Sequence, residues 1–211
     1  IKKEKFRRIF VGSDTDVFYP VKKENHSKKF KVLFYGSFLP LHGIDHIIRA
    51  AKFLEKEKDI VFEIIGWGPE KEKIMELFNR LKPDNLFFTD GMKKELLRKR
   101  IGEADLCLGI FGDTNKTKRV IPNKVYDYLA VGKPVITADT PAIRELFEDG
   151  ELMLVKVSDH ISLANAIMTL KNNRELANDI AQKGYQKFLR FATPNVLGRQ
   201  LLEIINENEY F

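Results

Sequence analysis

Short apolar runs alternate with amphipathic stretches of helical period along most of this chain, and that alternation admits few folds. The runs predict strands at Lys31–Tyr35, Val61–Ile65, Asn85–Thr89, Leu106–Ile110, Pro134–Thr137 and Leu152–Val155. The stretches between them predict helices near Gly43–Lys56, Glu70–Leu81, Lys93–Gly102, Asn123–Val131 and Ala142–Phe147. Strands separated by helices read as βαβ units, and βαβ units build a parallel sheet. The expected fold is therefore α/β, a doubly wound, six-stranded, Rossmann-like sheet in the order 3-2-1-4-5-6. From His160 to Phe211 the pattern is helical, with a break at Ala192-Thr193-Pro194.

Strand order locates the ligand crevice, which opens beyond the carboxyl ends of strands 1 and 4, where the order reverses. The loop after strand 1 is Gly36-Ser37-Phe38-Leu39-Pro40-Leu41-His42-Gly43, and the loop after strand 4 runs from Phe111 to Pro122. Glycines at Gly36 and Gly43 either admit a ligand close to the backbone or simply make a strand-to-helix turn. Pro122 suits the first helical position. Ile121 before it has no side-chain oxygen to cap the helix, so the first N–H groups are free for an anion. Lys116, Lys118, Arg119 and Lys124 crowd the same end, and Asp127 lies one turn beyond Asn123 on the same face. An anion cradle with a carboxylate one turn further in suits a nucleotide diphosphate, Asp127 reaching the ribose hydroxyls.

Composition narrows the class. The 211 residues are 44% hydrophobic and 31% charged, enough for a core of one large domain or two small ones. No run of about 18 apolar residues crosses a membrane, and Ile1-Lys2-Lys3-Glu4-Lys5 is not a signal peptide. With no initiator Met, the chain is expected to be a fragment or a processed product. Cys107 sits in an apolar run as a core residue; alone it forms no internal disulfide, which agrees with a reducing compartment. The net charge of +6 fits an anionic ligand, an acidic membrane surface, nucleic acid or a solvated lysine surface. No zinc-ligand spacing or aromatic-basic RNA-binding pattern supports nucleic acid. His26, His42, His46 and His160 form no ligand cluster, so no metal site is expected. The Gly36–Gly43 loop is neither a P-loop nor a Gly-x-Gly-x-x-Gly fingerprint.

The stretch Asp127-Tyr128-Leu129-Ala130-Val131-Gly132-Lys133-Pro134-Val135-Ile136 resembles the nucleotide-sugar signature of GT-B glycosyltransferases, particularly glycosyltransferase family 4 among the glycosyl transferases group 1. Gly12–Pro20 resembles that family's interdomain connector, Gly36–Gly43 its first donor loop, and Gly66-Trp67-Gly68-Pro69-Glu70 and Phe88-Thr89-Asp90-Gly91 its next two strand-end loops. The resemblance implies one half of a GT-B fold: a connector over 1–30, a nucleotide-sugar-binding domain over 31–192, and a helix over 193–211 that packs on an N-terminal domain. It implies a retaining transferase that moves a sugar from a nucleotide diphosphate sugar to a glycan, lipid or polysaccharide acceptor. No cofactor or essential metal is implied; the location is cytoplasmic, extending to peripheral contact with the inner face of the membrane, and the role is in cell-envelope polysaccharide synthesis. Gly36, Ser37, His42, Gly43, Lys118, Arg119, Pro122, Asn123, Lys124 and Asp127 would line the donor site, with Gly66 a wall and Gly91 and Met92 against the nucleobase. Departures from the pattern are also visible. Ser37 and His42 stand where the family carries two cations, and Arg119 stands where the first of its paired glutamates would fall. His42 is then a candidate for hydrogen-bonding a phosphate or the leaving oxygen, or plain exposed surface, and Asp113 a candidate substitute carboxylate. The competing reading is a non-catalytic nucleotide-binding or regulatory module; an α/β oxidoreductase is disfavoured by its absent glycine fingerprint.

Overall fold

The structure, a computed structural model, describes residues 7–21 and 28–208. The expectations attached to Ile1–Lys5, His26 and Phe211, and part of the 1–30 connector, lie outside the described residues. Strands β1 (Phe30–Tyr35), β2 (Ile60–Ile65), β3 (Leu86–Thr89), β4 (Leu106–Leu108), β5 (Val135–Ala138) and β6 (Met153–Val155) form one parallel sheet in the order β3-β2-β1-β4-β5-β6, as the alternation predicts. Helices α1 (Ile44–Phe53), α2 (Lys71–Leu81), α3 (Lys94–Glu103), α4 (Asn123–Ala130) and α5 (Pro141–Arg144) fill the crossovers. Three helices close the chain: α6 (His160–Asn172), α7 (Arg174–Phe191) and α8 (Pro194–Asn208).

Both faces of the sheet are covered, which is why its strands read as nearly continuous apolar runs. Along β1, Val32 and Phe34 join Ile47, Ile74 and Ile167 in one core. The intervening Leu33 joins Leu97, Val125, Leu129 and Phe188 in the other. Each such side chain, when fully buried, contributes about 1.5–3 kcal/mol.

Most boundaries shift by a residue or a few from the sequence reading, and three of the differences have a local reason. Strand β4 stops at Leu108 because the Ile110 N–H donates to the Thr137 hydroxyl at 3.2 Å instead of to a strand neighbour. Helix α5 starts earlier and ends sooner: Thr140 caps it by accepting from the Ile143 N–H at 3.3 Å, with Pro141 in its first turn. The tail breaks a second time at Asn173, whose side chain caps α7 by accepting from the Leu176 N–H at 2.9 Å.

The loops after β1 and β4 are stitched together. The Phe111 and Gly112 N–H groups donate to the His42 and Leu41 carbonyls, each at 3.1 Å. Gly43 has φ 62°, and a Cβ there would lie 2.5 Å from the Gly112 nitrogen, so only glycine fits this crossing. The 7–21 segment packs alongside, the Ser13 N–H donating to the Ala192 carbonyl at 3.2 Å.

Candidate functional site

Helix α4 starts at Asn123, as its period predicts. Pro122 is the cap, in extended conformation (φ −72°, ψ 144°), and not the first helical residue. No side chain caps this end, as expected from Ile121. The second helical residue, Lys124, is only 4% exposed. Its side chain crosses the carboxyl edge of the sheet, placing Nζ 4.0 Å from the centroid of the Phe34 ring. Gly36 makes that crossing possible: at φ 145°, a Cβ there would sit 2.7 Å from Nζ. Among the described residues Nζ has no hydrogen-bond partner. Burial pushes its pKa well below the ordinary lysine value.

His42 belongs to the same cluster. It is buried, which sets aside the reading of it as exposed surface. Its Nδ1 pairs with the Ser37 carbonyl, so Nδ1 carries the proton and Nε2 is the free acceptor of the neutral ring. Burial above all lowers its pKa to about 4, with Lys124 in its charged form and Lys116 adding to it, against the opposing pull of the Ser37 carbonyl. Gly36, Ser37, His42, Gly43 and Lys124 thus come together where β1 meets α4.

Asp127, one turn further along α4, is buried between two hydroxyls that the sequence reading did not include. Ser13 donates to Oδ1 and Tyr35 to Oδ2. Burial raises the carboxyl pKa, while the two hydroxyls and Lys94 pull it back. Tyr35 is held in turn by its own N–H, which donates to the Tyr128 hydroxyl at 3.0 Å. Tyr35 was visible as the last strand residue before Gly36; nothing local marked Ser13, 114 positions from its partner.

The remaining cations stand on the rim. Lys118 pairs with Asp113 at 3.0 Å, both half exposed, and the exposed Arg119 donates from Nε to the Asn115 carbonyl at 3.0 Å. A cleft of about 410 Å³ opens beside the cluster, walled by His42, Arg119, Pro122 and Asn123 together with Arg8 and Tyr126. Gly66 is packed close to the Gly36 carbonyl, where its own Cβ would fall 2.2 Å away, whereas Gly91 faces open space. Gly66, Gly91 and Met92 follow β2 and β3 and do not wall that cleft. Among the described residues, no three His, Cys, Asp or Glu side chains gather as metal ligands, and no helix is long and apolar enough to cross a membrane.

Known proteins share this architecture. HepE from Anabaena, solved with UDP and glucose, superposes with a TM-score of 0.82 at 17% identity, over 97% of this chain and 58% of that one. A C-terminal domain of a glycosyl transferase group 1 family protein from Francisella tularensis matches with a TM-score of 0.70 at 22% identity, over 83% of this chain and 96% of that one. In sequence, chitobiosyldiphosphodolichol beta-mannosyltransferase of Candida albicans is 30% identical over 128 residues, 58% of this chain and 28% of that protein. The UDP-glycosyltransferase TURAN of Arabidopsis thaliana is 33% identical over 113 residues, 53% of this chain and 24% of that protein. This chain therefore spans about a quarter of the length of these curated relatives. The family profile described as "Glycosyl transferases group 1" matches residues 18–187, most of the chain, and this chain belongs to that family.

Proposed function

We propose that this chain is the donor-binding half of a GT-B glycosyltransferase of the family 4 type, holding a nucleotide diphosphate sugar at the β1–α4 crossing. The observation that carries this reading is Lys124: a buried amine with no acceptor among the described residues, beside uncapped helix N–H groups, is suited to a phosphate. The diphosphate then lies against Gly36, Ser37, His42, Gly43, Pro122 and Asn123, and the ribose near Asp127. The base packs by Gly91 and Met92, with Gly66 as a wall of the site. Lys118 and Arg119 draw the anion in from the rim. Fixed cations and N–H groups stabilise charge on the departing diphosphate. His42, through Nε2, and Asp113 are the candidates for contact with the reacting centre, and no metal ion enters the scheme.

The acceptor is a glycan, lipid or polysaccharide, held largely by an N-terminal domain of the same enzyme. The setting is cytoplasmic, at the inner membrane face, in cell-envelope synthesis. The family resemblance implies retention at the anomeric carbon, whereas the name of the Candida relative specifies a beta-mannosyl product; NMR of the product anomer from the whole enzyme distinguishes the outcomes. Asp113 bonded to Lys118, with Arg119 in place of a carboxylate, favours a second reading: a nucleotide-binding module without transfer activity.

Lys124→Ala tests the site. Diphosphate affinity should drop much further than nucleoside affinity, by roughly tenfold or more, as for the loss of one charged hydrogen bond. Calorimetry with UDP, GDP and ADP against their nucleosides reads this; equal losses would assign Lys124 to the base pocket or the fold.

A further inference from the structure

The Lys124 amine has three donors and a charge to place, yet among the described residues Nζ has no hydrogen-bond partner. From β1 it meets the Phe34 ring at 4.0 Å and the Gly36 backbone. From the loop after β1 it meets His42, whose Nδ1 is occupied by the Ser37 carbonyl. In the loop after β4, Lys116 acts on the neighbouring His42, and the carboxylate of that loop, Asp113, is paired with Lys118 at 3.0 Å. On its own helix the nearest carboxylate in sequence, Asp127, is bonded to the Ser13 and Tyr35 hydroxyls. A ring face compensates a buried ammonium only in part, and an unpaired buried charge sheds its proton more easily than it stays charged.

We propose that a diphosphate-bearing ligand enters this site together with one proton, taken up by Lys124 Nζ: the amine is neutral in the free protein and an ammonium under the phosphates. The proposal rests on the donor-site reading above. The diphosphate of a nucleotide sugar is a diester, already fully ionised near neutral pH, so the proton comes from solvent. The amine nitrogen forms one N–H bond with its lone pair, and no bond of the ligand breaks. The bound state thus holds more protons than the free state. Affinity falls as pH rises above the free-state pKa of Lys124, approaching about tenfold per pH unit.

Titration calorimetry of this chain with UDP-glucose, GDP-mannose and ADP-glucose, at about pH 8 where an ordinary lysine is charged throughout, tests this in buffers of unlike ionisation heat. The expected result is a buffer-dependent heat corresponding to about half to one proton absorbed per site. Lys124→Arg, whose guanidinium keeps its proton, should bind without absorbing one. Binding of any of these ligands with no proton uptake overturns the proposal and leaves the donor site standing. Uptake that persists in Lys124→Arg also overturns it, since the proton then goes elsewhere, to His42 first. If that variant fails to fold by circular dichroism, the wild-type pH series decides: affinity unchanged between about pH 6.5 and 8.5 overturns the proposal. Failure of all three sugar nucleotides to bind overturns the donor-site reading itself.

Discussion

Asp127 is the residue whose surroundings most change its meaning. On sequence it is a carboxylate one turn into a helix, facing a ligand; in the fold both its oxygens already accept hydrogen bonds, from Ser13 and Tyr35. A carboxylate oxygen has two lone pairs, so each can still take a ribose hydroxyl while the protein hydroxyls hold it in place. Asp127→Ala is therefore expected to weaken nucleotide diphosphate binding by about 1–3 kcal/mol. Isothermal titration giving unchanged affinity in a folded variant would leave Asp127 a tie between the 7–21 segment, β1 and α4. Lys124 teaches the complementary lesson. It was legible as one of four cations at a helix start, but that it alone among them is buried depends on Phe34 and Gly36, some ninety positions away in the chain.

At the scale of elements, the β1–α4 junction is a single device made of a strand end, a turn and a helix start. Gly36→Ala should disturb all three at once. Its φ of 145° disfavours a side chain, and the new Cβ would displace Lys124 Nζ from 2.7 Å. We expect a loss of about 1–3 kcal/mol in stability from the backbone alone, together with loss of diphosphate affinity. In the double variant with Lys124→Ala, the affinity losses should fail to add, because both act through the same amine. Denaturant melts and calorimetry of the four proteins check this; full additivity would mean that Gly36 acts on the ligand through its own backbone. The strands and their order were legible because parallel strands covered on both faces leave long apolar runs. The ends of β4 and α5 were not, since a threonine hydroxyl decides each: Thr137 replaces a strand partner and Thr140 caps a helix.

At the scale of the molecule, α8 leans on α7 and leaves Leu201, Leu202 and Ile205 46–59% exposed. Exposed apolar side chains clustered on one helix are the surface expected of a segment that packs on another domain. In the proposed reading that domain holds the acceptor, so the 211-residue chain should bind donor weakly and transfer no sugar. Donor binding survives because the loops after β1 and β4 are both present and stitched together. A radiolabelled-sugar assay that finds robust acceptor glycosylation by this chain alone would overturn the division into 1–30, 31–192 and 193–211.

The sequence by itself determined the α/β class, the strand order, the crevice at the reversal point and the cluster of cations around it, because periodicity and loop chemistry are local properties of the chain. Only the tertiary structure decided that Lys124 is the buried cation, that His42 is neutral and inward, and that Asp127 is clasped by Ser13 and Tyr35. Those outcomes depend on which distant groups share a volume from which water is excluded, and burial of that kind is set by packing between elements rather than by the order of residues along any one of them.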